Sequence, residues 1–151
     1  MQFLRNLVIS AVLLVVAAAP ALAQTSKADT PIKIALHVDD NDAGRMNLAL
    51  NNVMNILADY KKAGHKVQIE VVTYGPGLHM FREDTSPVKA RIQEISLANP
   101  NVIFAACQNT QLNMSKAEKK DIKIIPEARL VASGVIHLVE LQRQGFAYIK
   151  P

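Results

Sequence analysis

The side chain in this sequence best suited to covalent chemistry is its single cysteine. Cys107 ends the apolar run Val102–Ala106 and is followed at once by polar, turn-forming residues. An uninterrupted apolar run of this length is typical of a strand buried on both faces of a parallel sheet. Open α/β sheets place ligands and chemistry at the carboxyl ends of such strands. We therefore predict that Cys107 lies at the functional edge of a sheet.

The chemistry expected of Cys107 is nucleophilic attack by its thiolate. A helix N-terminus or a nearby cation lowers the pKa of a cysteine, and a turn that leads from a strand into a helix supplies the necessary N–H groups. Free cysteine also behaves as a small apolar residue and is often buried. A structural Cys107 is therefore the alternative.

Other residues able to support chemistry follow the remaining predicted strands. His37 and His79 are candidates to relay a proton or to lower the pKa of Cys107, and the alternative for each is a histidine bonded to the backbone. His137, in the last predicted helix, fits a structural or interfacial role. The residues expected at the sheet edge beside Cys107 are His37, Asp39, Asp40, Gly75, Gly77, His79, Asn109, Ser133 and Gly134.

Motifs for cofactors and metals are weak. Gly75-Pro76-Gly77 begins like a dinucleotide fingerprint, but it has no third glycine at the required spacing and fits a tight turn. Asp39, Asp40 and Asp42 do not form a calcium-binding loop and fit a polar loop before a helix. We find no phosphate loop, serine elbow or zinc spacing, and we expect neither a metal nor a cofactor.

The beginning of the chain has the pattern of a cleaved secretory signal. Arg5 is followed by the apolar run Leu7–Ala19 and by the small residues of Ala21–Ala23. This run is short for a membrane span, which needs about 20 residues. We predict a signal peptide over 1–23, a flexible leader over 24–31 and one domain over 32–151. The mature protein should be periplasmic, without stable membrane association.

Composition narrows the class of protein further. The formal charge is +4, aromatic residues are 5% of the chain, and there is no Trp. Nucleic-acid platforms combine clustered basic charge with stacking rings, so we expect no nucleic-acid partner. With one cysteine, the chain cannot form an internal disulfide.

Hydrophobic periodicity predicts strands alternating with helices, and therefore one α/β domain. The fold class expected is a three-layer α/β/α sandwich with a mostly parallel five-stranded sheet. Val102–Ala106 should be a central strand, and the second strand should lie nearer the edge because Gln68 and Glu70 alternate with its apolar residues. We predict strands at 32–38, 65–73, 102–106, 129–132 and 146–149, with helices at 45–63, 78–81 and 134–144, a helix from Ser86-Pro87, and a short one opening at Ser115.

Several segments, taken together, resemble the DsrE/DsrF-like family. The similarity extends from Ile32 to Pro151, and the order and spacing of the segments carry it. These segments are Ile34–Asp39, Met46–Asn52, Glu70–Gly77, Ala106–Thr110, Ser133–Val135 and Gly145–Pro151.

The resemblance implies a compact α/β/α domain that assembles as a homo-oligomer, commonly a trimer or hexamer. Better-understood members accept and relay sulfur as a cysteine persulfide, and Cys107 matches the family's strand-end cysteine. We therefore expect a periplasmic sulfur-trafficking protein whose partners include a sulfur donor or acceptor protein. The alternatives are a non-enzymatic oligomeric module that binds a small ligand, with Cys107 structural, and a subunit that supports a catalytic partner.

Overall fold

The computed structural model describes residues 30–151, and the predicted signal peptide and most of the leader lie outside them. Five parallel strands form one sheet in the order β4-β3-β2-β1-β5. The elements are β1 (Ile32–Val38), α1 (Ala43–Lys62), β2 (Val67–Thr73), a 3-10 helix (Gly75–Phe81), α2 (Lys89–Ala98), β3 (Val102–Cys107), α3 (Gln108–Glu118), β4 (Ala128–Val131), α4 (Gly134–Arg143) and β5 (Ala147–Ile149).

The first face of the sheet carries the larger core. Alternate residues of the inner strands, among them Leu36, Val71 and Phe104, pack with the buried side chains of α1 and with Ile92 and Ile95 of α2. Asp42 caps the N-terminus of α1, where its carboxylate accepts the backbone N–H of Arg45 at 2.6 Å. Burial of this apolar surface is the main force holding the helices on the sheet.

The second face is covered by α4. Leu138 and Leu141 pack on Ala35, Val72 and Ala105 from three adjacent strands. Helices therefore lie on both faces of an all-parallel sheet, which confirms the predicted fold class. Within residues 30–151, no helix is long and apolar enough to cross a membrane.

β3 is an internal strand, as predicted, but the expectation that β2 lies nearer the edge was wrong, because β2 is the middle strand of the sheet. The polar residues of β2 suggested a face partly open to water. Glu70 is instead buried, with its carboxylate accepting hydrogen bonds from Arg129 at 2.6 Å and from the His137 ring. A buried carboxylate is tolerated when it is paired and hydrogen-bonded, so these distant partners allow Glu70 to lie in the centre of the sheet. His137 has the structural role expected of it.

Two predicted helix starts were also wrong. The helix after Cys107 begins at Gln108 rather than at Ser115, which lies near its end. None of the residues of α3, all within the described part of the chain, is buried, so no apolar stripe marked its beginning. The helix expected from Ser86 begins at Lys89, although the Ser86 hydroxyl accepts the backbone N–H of Val88 at 3.4 Å while it donates to the carbonyl of Met80 at 2.6 Å.

An ion-pair network joins α3 to the end of the 3-10 helix. The buried guanidinium of Arg82 donates to Asp84 at 2.9 Å and to Glu118 at 2.9 Å, and Lys120 donates to Asp84 at 2.7 Å. The hydrogen bond from Arg82 lowers the pKa of Glu118 to about 2, and the same cation holds the pKa of Asp84 well below its ordinary value. This network fixes α3, and with it the residues that follow Cys107.

Candidate functional site

Cys107 lies where β3 passes directly into α3. It ends the strand and is also the N-cap residue of the helix, and its Sγ accepts a hydrogen bond from the backbone N–H of Thr110 at 3.5 Å. N-terminal N–H groups of a helix have no partner within the helix, and they carry the positive end of its dipole. The sulfur therefore occupies a position that favours a negative charge.

The N-terminus of a second helix also reaches the sulfur. The backbone N–H of Gly134, the first residue of α4, lies close enough to Cys107 to lower the pKa of its thiol. A Cβ atom at position 134 would lie only 3.0 Å from the Cβ of Tyr74 and 3.2 Å from that of Cys107. Glycine is thus the residue that lets α4 begin this close to the end of β3.

These hydrogen bonds decide the ionisation of the thiol. Burial, the strongest single influence, raises the pKa of Cys107, whose residue surface is 4% exposed. Hydrogen bonds from the Thr110 side chain and from the backbone N–H groups of Gly134, Thr110 and Asn109 act in the opposite direction. Together they bring the pKa of Cys107 below its ordinary value. The arrangement therefore favours the nucleophilic thiolate form.

The loop after β2 supports Thr110 from the other side. The backbone N–H of Gly75 donates to the Thr110 hydroxyl oxygen at 3.0 Å. Gly77 lies against the end of β1, where its N–H donates to the Asp39 carbonyl at 2.9 Å. A Cβ atom at Gly77 would approach the carbonyl oxygen of Val38 to 2.1 Å, so the loop packs this closely only with glycine.

His37 lies at the same sheet edge but bonds to a different residue. Its side chain is buried, and its Nδ1 lies 2.8 Å from the hydroxyl of Tyr148, while Nε2 has no hydrogen-bond partner among residues 30–151. Burial lowers the pKa of His37, with partial opposition from the Asp39 carboxylate. The ring centroids of His37 and Tyr74 are 4.4 Å apart. His37 is thus connected to the surroundings of Cys107 through Tyr74.

His79 lies farther along the 3-10 helix, where its Nδ1 is 2.8 Å from the hydroxyl of Thr85. Burial, followed by the charge of Arg82, lowers the pKa of His79. With Thr110 and Asn113 it lines a cleft of about 440 Å³ between the 3-10 helix and α3. The predicted supporting histidines therefore lie near the site, but the hydrogen bonds that stabilise the sulfur come from other residues.

Sequence reasoning missed three residues that shape this site. Thr110, Tyr74 and Tyr148 all approach Cys107 or His37 in the structure. Asn109 contributes its backbone N–H rather than its exposed side chain. The position of Thr110, three residues after a strand-end cysteine, is the one local signal that could have identified a capping contact.

Comparison with solved structures finds a protein of unknown function from Methanobacterium thermoautotrophicum. The two sequences are 34% identical, the alignment covers 80% of this chain and 99% of the archaeal one, and the TM-score is 0.65. This chain belongs to the family of the archaeal protein. No family model matches the chain. No curated protein matches it either.

The archaeal relative supports the α/β fold over nearly its entire length. The function of that protein is not known, so its likeness adds no activity to the site.

Proposed function

We propose that this protein carries sulfur as a persulfide on Cys107. One observation supports the proposal above all. The sulfur of Cys107 accepts the backbone N–H of Thr110 in α3 and lies beside Gly134 at the N-terminus of α4, and both helix N-termini favour its thiolate. The resemblance to DsrE/DsrF-like proteins supports the same role, since their better-understood members relay sulfur on a strand-end cysteine.

The loading step is an attack by the Cys107 thiolate on a sulfane sulfur. With thiosulfate as donor, a bond forms between Sγ and the sulfane sulfur while the sulfur–sulfur bond of thiosulfate breaks. Sulfite leaves with the electron pair, and Cys107 is left with a charged outer sulfur. The N–H groups that stabilise the thiolate lie beside this new charge.

The unloading step reverses the roles of the two thiols. An acceptor thiolate attacks the protonated outer sulfur, a new persulfide forms on the acceptor, and Cys107 leaves as a thiolate. A lowered pKa assists this step too, because thiols of lower pKa are better leaving groups. The partner required is therefore a thiol-containing small molecule or protein.

We further propose that the protein works as a periplasmic homo-oligomer. Support comes from the signal pattern of residues 1–23 and from Val135, Ile136 and Val139, which leave the outer side of α4 apolar and exposed. An exposed apolar patch of this kind is typical of an interaction surface. N-terminal sequencing of protein from a periplasmic extract tests export, with Gln24 as the expected first residue.

A ligand-binding module without covalent chemistry is the second candidate function. The 4% exposure of Cys107 favours it, because a donor must reach a nearly covered sulfur. The cleft beside Thr110 would then hold the ligand, and Cys107 would contribute only to packing.

Release of sulfite separates the two candidates. Incubation with thiosulfate should yield one sulfite for each wild-type chain and none for Cys107→Ser. Equal release by the two proteins would remove the case for a sulfur carrier.

A further inference from the structure

Thr110 lies against the sulfur of Cys107. Its backbone N–H donates to Sγ at 3.5 Å, and its side chain acts to lower the pKa of Cys107. The Thr110 hydroxyl oxygen also accepts the N–H of Gly75 at 3.0 Å. Thr110 thus connects the loop after β2 to the sulfur at the end of β3.

Gly75 determines where the proton of the Thr110 hydroxyl points. A hydroxyl has one proton to donate and two lone pairs that accept. Because the Gly75 N–H occupies one lone pair, the hydroxyl proton is left free to point at the sulfur, which the backbone N–H of Thr110 holds beside this residue. Gly75 has a φ of +52°, in the left-handed region that favours glycine. The glycine at the start of the Gly75-Pro76-Gly77 turn therefore serves the cysteine site.

We propose that Thr110 is a positioning residue for Cys107, with its hydroxyl held by Gly75 and donating to the sulfur in its charged form. A hydrogen bond to a charged group is stronger than one between neutral groups, so this contact stabilises the thiolate more than the thiol. The lowered pKa of Cys107 agrees with this effect. The inference deepens the proposed function and rests on it for its biological use, but the ionisation can be measured without any sulfur donor.

The experiment follows alkylation of Cys107 by iodoacetamide against pH in three proteins. Thr110→Val keeps the shape and the backbone N–H but removes the hydroxyl, and Thr110→Ser restores the hydroxyl. Because the thiolate loses a hydrogen bond to a charged group, Thr110→Val should alkylate about tenfold more slowly at pH 7, which corresponds to about 1.4 kcal/mol, and should titrate at higher pH. Thr110→Ser should follow the wild-type profile.

Thr85→Val is the matched control, since the Thr85 hydroxyl bonds to His79. It should leave the alkylation profile unchanged. If Thr110→Val does not fold, as judged by circular dichroism, Thr110→Ala provides the same loss of the hydroxyl. A wild-type profile in the folded hydroxyl-free variant would overturn the inference, and so would a Thr110→Ser profile that matches the hydroxyl-free one.

Sulfur uptake from polysulfide, read by mass, separates this inference from the proposed function. If the wild-type protein takes up no sulfur while loss of the hydroxyl still slows alkylation, the sulfur-carrier function fails and the role of Thr110 stands. If the wild-type protein takes up sulfur while wild type and the hydroxyl-free variant have the same alkylation profile, the sulfur-carrier function stands and the role of Thr110 fails.

Discussion

The hydroxyl of Tyr148 lies 2.8 Å from Nδ1 of His37, joining the short edge strand β5 to the buried carboxyl end of β1. Removing the hydroxyl in Tyr148→Phe should lower the free energy of unfolding by about 1–2 kcal/mol, because a buried ring nitrogen loses its partner. Urea unfolding measures the change. Tyr60→Phe is the control, since the aromatic ring of Tyr60, and not its hydroxyl, packs against His65. This substitution should lower the free energy of unfolding by less than about 0.5 kcal/mol. Equal unfolding midpoints for wild type and Tyr148→Phe would show that this contact contributes nothing.

Glu118 should make the protein sensitive to acid. Its pKa in the folded protein, about 2, is depressed below the 4.5 of an unpaired glutamate by the bond to Arg82. Its contribution to stability is therefore complete above the unfolded pKa and is lost as pH falls from 4.5 towards 2. Unfolding by urea at a series of pH values should show a shallower acid loss for Glu118→Gln than for wild type.

The control for this effect is Glu140→Gln on the exposed part of α4. Glu140 lies 3.8 Å from Arg143 in a solvent-exposed pair, which should contribute little. Its acid profile should match that of wild type. An unchanged profile for Glu118→Gln would instead mean that the buried Arg82 does not stabilise the carboxylate.

Phe104 on the internal strand β3 should contribute strongly to the core. It is 1% exposed, and its ring packs edge-on against Phe81 at a centroid distance of 5.6 Å. Phe104→Ala should cost about 3–5 kcal/mol in unfolding free energy, as large-to-small core substitutions do. Leu97→Ala, at a residue 81% exposed, should cost less than about 0.5 kcal/mol. A loss of less than about 1 kcal/mol at Phe104 would contradict the packing of β3.

The outer side of α4 should form the oligomer interface. Ile136 is 58% exposed, between Val135 and Val139 on the uncovered side of the helix. Ile136→Glu should convert the oligomer to a monomer, because a charge cannot be buried there without a partner. Light scattering during size-exclusion chromatography gives the mass, with Leu97→Glu as a control that should stay oligomeric. A wild-type protein that is already monomeric would rule out this interface.

Most of the fold could be predicted from local patterns, because the strands and α1 have clear apolar periodicity. The predictions were wrong where contacts between residues far apart in the sequence determine the structure. Glu70 is buried only because Arg129 and His137, far along the chain, supply its partners. The start of α3 is set by the Cys107 cap, and the bond between Arg82 and Glu118 holds the other end of the helix.

The candidate site was predictable in its location but not in its contacts. The apolar run before Cys107 indicates a strand end, and the helix after it supplies the N–H groups. The close approach of Gly134 and the bond from Gly75 to Thr110 depend on how three strands align at one edge. The spacing of residues in the sequence does not reveal that alignment. The histidines, and not Thr110, were therefore expected to lower the pKa of Cys107.

Intact-mass spectrometry after treatment with polysulfide or thiosulfate tests the central claim most directly. Wild-type protein should gain mass in steps of about 32 Da per sulfur atom, and reductant should remove the gain. Cys107→Ser should remain unmodified while melting at the same temperature as wild type, since the substitution changes one atom at a strand end. A wild-type protein that gains no mass, or a Cys107→Ser variant that gains as much, would contradict the proposal that Cys107 carries sulfur.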